Sequence, residues 1–122
     1  MKEDNVIVRK SKAFALRIIK LYQMLTQKHE FIMSKQLLKS GTSIGANVKE
    51  AIRAQTRADF YAKLFIAFKE ASETEYWLEL LGESGYIETA QFNSLYADCQ
   101  ELLRILMSIT KSQKVIQMCD TE

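Results

Sequence analysis

The sequence predicts an all-α fold, an antiparallel up-down-up-down bundle of four helices, and three observations carry that expectation. The 122 residues contain no proline and only 4 glycines, too little turn chemistry for the many tight turns of a sandwich or barrel. Apolar residues recur at helical spacing in four long segments. The breaks between those segments are short, which forces neighbouring helices to run antiparallel. With 48% apolar and 26% charged residues, the composition is that of one globular domain with one core. The reading places a single domain over 1–122, its bundle over about 9–112, an arm at 1–8 and a tail at 113–122, both flexible.

The first segment runs from Val8 to Gln27, with Phe14, Ile18, Leu21 and Leu25 as its core stripe, and ends at the polar run TQKHE. The second runs from Ser34, read as its N-cap, to Ala54, and buries Leu37, Gly41, Ile44, Val48, Ala51 and Ile52. The third opens at Thr56, where TRAD reads as a capping box: a hydroxyl for the first orphan amides and an acid three residues later. Its stripe is Phe60, Leu64, Ala67, Ala71 and Leu78, and it stops after Glu83, where Gly85 can adopt the left-handed conformation that closes a helix. The fourth spans Thr89 to Ser112 on Phe92, Tyr96, Cys99, Leu103 and Leu106; from Gln113 no pattern is sustained.

Apolar residues exceed what those stripes use. Leu16 and Ile19 fall far from the first stripe. Phe65, Ile66, Tyr76, Trp77 and Leu80 lie on the sides and back of the third segment, and Leu95, Leu102, Ile105 and Ile109 spread beyond the fourth. A four-helix monomer has no internal place for all of them, so the protein either self-associates or docks a protein partner. The expected oligomer interface is Leu16, Ile19, Ile66, Trp77, Leu80, Ile105 and Ile109, with Trp77 its largest contributor. Charge is also divided. Met1–Ala58 carries 12 Lys and Arg against 4 acids, a balance of +8, and Asp59–Glu122 carries 5 against 11, a balance of −6. The net charge of +2 conceals two opposed halves, which pair within one bundle or between the faces of neighbours in a ring.

Lys35, Lys39, Lys49 and Arg53 form one stripe on the second helix, opposite its core, with Thr42 and Ala46 between them. Such a row is either a solvated face or a line of phosphate contacts, because lysines at helical spacing follow a phosphate backbone without reading bases. Arg9, Lys12 and Lys20 are placed to widen it. No aromatic platform is interleaved with the stripe, so binding to RNA or DNA would be led by the backbone. The run SGTSIGAN packs small residues into two turns, and each internal glycine costs about 1 kcal/mol against alanine. Close approach of a neighbouring helix offsets that cost. Ser40, Gly41, Ser43, Gly45 and Asn47 are accordingly read as a helix seam, or else as the wall of a ligand pocket.

Catalytic chemistry finds little support. Glu70, Glu73, Glu75, Glu79 and Glu83 line the third helix, but carboxylate-bridged metal bundles pair glutamates with histidines, and the one histidine, His29, lies in a break. No nucleophile elbow and no glycine-rich phosphate loop is present. The expectation is no enzyme, no metal and no cofactor. Cys99 and Cys119 lack companions for a zinc site; they form a reduced pair or one disulfide. The N-terminus lacks the apolar run of a signal peptide, and no stretch approaches the roughly 20 apolar residues that span a bilayer. A cytoplasmic protein with no membrane contact is expected.

The block QLLKSGTSIGANVKEA, followed by RADFYAKLFIAFKEASETEYWLELLGESGYI, closely resembles the bacterial four-helix-bundle family named for the 23S rRNA-intervening sequence protein. The resemblance covers roughly Arg9 to Ser112. It implies a small cytoplasmic bundle that assembles as a cyclic homopentamer and has no assigned enzymatic activity. The chain is also similar to the accessory proteins of diversity-generating retroelements, which implies a basic pentamer contacting nucleic acid and a reverse transcriptase. The expected function is a non-enzymatic, oligomeric protein binding structured RNA or DNA through Lys35, Lys39, Lys49 and Arg53. The alternative is a protein-interaction scaffold that touches no nucleic acid.

Overall fold

The computed structural model describes the backbone of residues 5–120 and the side chains of residues 5–111. Four helices follow in order: α1 (Val6–Gln27), α2 (Met33–Ala51), α3 (Arg57–Glu83) and α4 (Thr89–Asp120). Among the described residues their backbones approach one another only in the cycle α1–α2–α3–α4–α1, so α1 and α3 occupy opposite corners of a four-helix bundle. Side-chain pairs fix the directions. Gly41 lies against Ile18 and Gly45 against Ser11, Ser40 meets Thr74 and Glu50 meets Lys63, and Cys99 reaches Ala71 while Tyr96 reaches Glu79. Lys10 pairs with Glu101 and Arg17 with Asp98. In each case numbering rises on one helix as it falls on the next, so all four adjacent pairs are antiparallel.

Helix α1 begins two residues before the expected Val8. The Asn5 side chain accepts from the Ile7 amide at 3.0 Å, an N-cap, and Ile7 is fully buried one turn ahead of Ser11 and two ahead of Phe14. Residues 6–8 therefore belong to the bundle and not to an arm; Met1–Asp4 lie outside the described residues. At its other end α1 closes with the Glu30 amide donating to Leu25 O at 2.9 Å and the His29 amide to Thr26 O at 3.0 Å. This is a Schellman closure with His29 at φ 63 in the position glycine usually takes. Helix α3 ends the same way on Gly85 at φ 85, with Tyr86 donating to Leu81 O and Gly85 to Gly82 O.

Ser34 is not the N-cap of α2. The buried Glu30 carboxylate accepts from the amides of Ile32, Met33 and Ser34 at 3.3, 3.2 and 2.6 Å, and the Ser34 hydroxyl donates back to Glu30 O at 2.7 Å. One carboxylate satisfies three orphan donors and sits where the helix dipole favours negative charge. Helix α2 stops at Ala51, three residues short of the expected Ala54, as the Arg53 amide tightens onto Glu50 O. The α3 start follows the sequence reading: the Thr56 hydroxyl accepts from the Asp59 amide at 3.0 Å.

The core stripes of α1 and α2 are buried as expected, except that Ile52 is half-buried. On α4 the buried line is Leu95, Cys99, Leu102 and Leu106, while Phe92, Tyr96 and Leu103 flank it half-buried. Leu95 and Leu102 are core, not surplus, because α4 is apolar over so wide an arc that periodicity alone leaves its rotation open by a third of a turn or so. Thr74 and Leu81 complete the α3 side, where Phe60 is only half-buried. Nothing breaks α4 at Ser112; the helix runs on to Asp120 where a tail was expected from Gln113. Cys99 is a free, buried thiol, and the side chain of Cys119 lies outside those described. Among the described residues no helix is long and apolar enough to cross a membrane.

Candidate nucleic-acid interface

Lys35, Lys39 and Lys49 are exposed on α2, and Arg53 is exposed in the turn that follows it rather than within the helix. Between them the backbone carries a layer of small polar groups. The Thr42 hydroxyl donates to Leu38 O at 2.7 Å and the Ser43 hydroxyl to Lys39 O at 2.6 Å, so both are turned onto their own helix. A shallow groove of about 290 Å³ runs between α1 and α2, lined by Ser11, Ala15, Thr42, Gly45 and Ala46 together with Lys12 and Lys49. The structure thus brings Lys12 of α1 to the α2 stripe. Lys20 goes elsewhere: it lines a depression between α1 and α4 with Arg17 and Gln91.

The neighbouring α3 face is acidic. Burial pushes the Glu70 carboxyl above its usual range, Glu73 pushes it further, and Lys39 of α2 opposes both. Lys39 therefore stands within the field of α3, at the border between the basic and acidic halves. Further round α3 the Tyr96 hydroxyl donates to Glu79 at 2.6 Å; that bond, then burial, pushes the tyrosine up to about 12. Burial, with Glu75 next, holds the Cys99 thiol at about 12, so it is no nucleophile at neutral pH. Among the described residues no three His, Cys, Asp or Glu side chains are grouped to hold a metal ion.

The small-residue run divides three ways. Gly41 and Gly45 face α1, where a Cβ on Gly41 would lie 2.9 Å from Ile18, while one on Gly45 would lie in ordinary contact with Ser11 at 3.5 Å. Ser40 faces α3, accepting from Thr74 Oγ1 at 2.9 Å in the buried interior. Ser43 and Asn47 bridge no helices through these bonds; Asn47 Nδ2 donates to Ser43 O at 2.8 Å within α2.

The seven expected interface residues do not form one patch. Leu16, at 55% exposure, and Ile19 are exposed on α1; Ile66 is exposed on α3, with Trp77 and Leu80 half-buried on the same helix. Trp77 Nε1 donates to Glu73 at 3.1 Å and its ring packs against the core, so it is less available than its size promised. Ile105 and Ile109 are half-buried against the core. The two exposed sets therefore sit on helices that do not pack on each other. Sequence reasoning missed the most exposed large apolar side chains among the described residues, Phe31 at 57% and Ile32 at 79% in the α1–α2 connection. The signal was present: three consecutive apolar residues, Phe31, Ile32 and Met33, in a break that otherwise reads as polar.

Comparison with known proteins agrees with this architecture. The family model for the 23S rRNA-intervening sequence protein matches residues 3–108. A crystal structure of a protein with unknown function from the S23 ribosomal protein family of Bacteroides thetaiotaomicron is 55% identical, with a TM-score of 0.85 over 87% of this chain and 99% of that one. No curated protein matches the chain. A match over nearly the whole bundle, with the fold reproduced in a relative of such high identity, means that the chain belongs to the 23S rRNA-intervening sequence protein family.

Proposed function

We infer that the protein is a non-enzymatic, cytoplasmic binder of RNA or DNA that contacts the phosphate backbone through α2. The observation that carries the reading is the exposed row Lys35, Lys39 and Lys49, continued by Arg53 and joined by Lys12 across the α1–α2 groove. The three lysines are point charges on a stiff rod, suited to following phosphates and unsuited to reading base edges. A salt titration tests it with an RNA hairpin and a DNA duplex as probes. The affinity of the duplex should fall as a power of salt concentration, with a slope of about −0.9 per phosphate contacted. Replacing Lys35, Lys39 and Lys49 singly with alanine should each reduce that slope by about 1. Absence of binding at low salt, or binding indifferent to salt, returns the protein to the scaffold class, whose surface serves protein partners alone.

Self-association accompanies this reading. The exposed apolar residues sit on two helices that do not pack on each other, Leu16 and Ile19 on α1 and Ile66 on α3, so one copy has two separate surfaces to offer a heterologous, head-to-tail contact. A closed ring follows where the rotation between copies closes, and the pentamer is the number the family resemblance implies.

A further inference from the structure

The five residues Lys28–Ile32 that join α1 to α2 are held more firmly than a connection needs. His29 sits at φ 63, a conformation costly for a residue with a Cβ, and Glu30 is buried and locked onto three α2 amides. The Lys28 ammonium donates to Tyr86 O at 3.2 Å, tying this connection to the α3–α4 turn at the same end of the bundle. The result of all this fixing is that Phe31 and Ile32 are presented to solvent at 57% and 79% exposure, with the His29 ring edge-on to Phe31 at 6.0 Å. Exposed apolar side chains on a rigid mount call for an occupant.

The surroundings say which one. Ile32 already has helical backbone angles, and it stands three residues before Lys35 and seven before Lys39. Helical spacing therefore sets the apolar tip in line with the basic stripe. Cations run away from the tip along α2, and Lys28 stands beside it, bonded to the α3–α4 turn that the exposed acids Glu83 and Glu88 flank. A polyanion that lies along α2 reaches the tip at its end.

We propose that Phe31, backed by His29 and Ile32, is a stacking seat for an unpaired base, so that the α2 face takes single-stranded nucleic acid in preference to duplex. The proposal rests on the phosphate-binding reading above and adds to it a strand state. Bases within a duplex keep their faces covered by their neighbours; an unpaired base has one to offer an aromatic ring.

The probe is an RNA oligonucleotide carrying 2-aminopurine, used single-stranded and again when annealed to its complement. The wild-type protein should bind the single strand more tightly and quench 2-aminopurine on binding. Phe31→Ala should weaken single-strand binding roughly ten- to a hundredfold, leave duplex affinity and the salt slope unchanged, and abolish the quench. Phe31→Trp should restore tight binding, and both variants should keep the wild-type far-UV spectrum, since Phe31 contributes little to the core. Unchanged single-strand affinity in Phe31→Ala, with the salt dependence intact, overturns the stacking seat and leaves the basic face standing. Equal wild-type affinity for both strand states does the same. No binding of either probe at low salt overturns both.

Discussion

Gly41 and Gly45 share a spacing of four and face the same neighbour, yet they do different jobs. A methyl group on Gly41 would press on two carbons of the fully buried Ile18, which has nowhere to go; on Gly45 it would rest in ordinary contact with Ser11. Gly41→Ala should therefore destabilise by about 1–2 kcal/mol even after the gain in helix propensity. Gly45→Ala should stabilise by about 0.5–1 kcal/mol, because the propensity gain meets no opposing clash. Urea melts of the two variants check both signs. From the sequence this pair reads as one seam with Gly45 as much its centre as Gly41, since spacing gives the face but not the distance across it. Ser40 illustrates the same limit. Its burial follows from its place beside the stripe, but its partner Thr74 is 34 residues away on another helix and leaves no local trace.

The elements whose ends are governed by neighbouring residues were the ones legible in advance. Thr56 with Asp59 starts α3, and Gly85 closes it, because both signals lie within one turn. The opposite connection uses residues outside that vocabulary. Histidine stands where glycine is usual, and a glutamate two residues before the N-cap position does the capping, so the sequence points to Ser34 instead. Glu30→Ala should cost about 1–2 kcal/mol, since it strips a partner from three amides at once, where a typical cap serves one or two. Thermal melts measure the loss, and Ser34→Ala, which leaves the carboxylate in place, should cost less. For α4 the difficulty was rotation. Phe92, Tyr96 and Leu103 and the set Leu95 and Leu102 make two apolar lines on one helix, and only the positions of α1 and α3 decide which faces inward.

For the whole molecule, the division of charge proved easier to read than its use. The basic first half and acidic second half meet as Lys10–Glu101 and Arg17–Asp98 across α1 and α4, pairs too exposed to be worth more than about 1 kcal/mol each. The apolar surplus was legible as a quantity, but its placement on separate corners was not, because that depends on which helices sit diagonally. Self-association through those corners has a distinctive signature. The wild type should scatter light as an oligomer at micromolar concentration, while Leu16→Glu and Ile66→Glu should each give helical, smaller species. Mixed together, the two variants should recover a heterodimer, because each retains the face the other lacks; a two-fold contact would show no such complementation. A monomeric wild type at high concentration removes the oligomer altogether.

The cyclic order of contacts has a consequence for how the chain reaches this state. Three of the four helix–helix faces join consecutive helices, across connections of only a few residues, so each can form as soon as its second helix exists. Only α4 against α1 requires distant parts of the chain to meet, spanning the 91 positions between Lys10 and Glu101. Closure entropy grows only with the logarithm of loop length, so this 91-position loop costs about 1 kcal/mol more than the 34-position loop between Ser40 and Thr74. The last face therefore shuts at little extra entropic cost and is matched only at short range, by Asp98 and Glu101, because α4 as a whole balances Asp98, Glu101 and Asp120 against Arg104, Lys111 and Lys114.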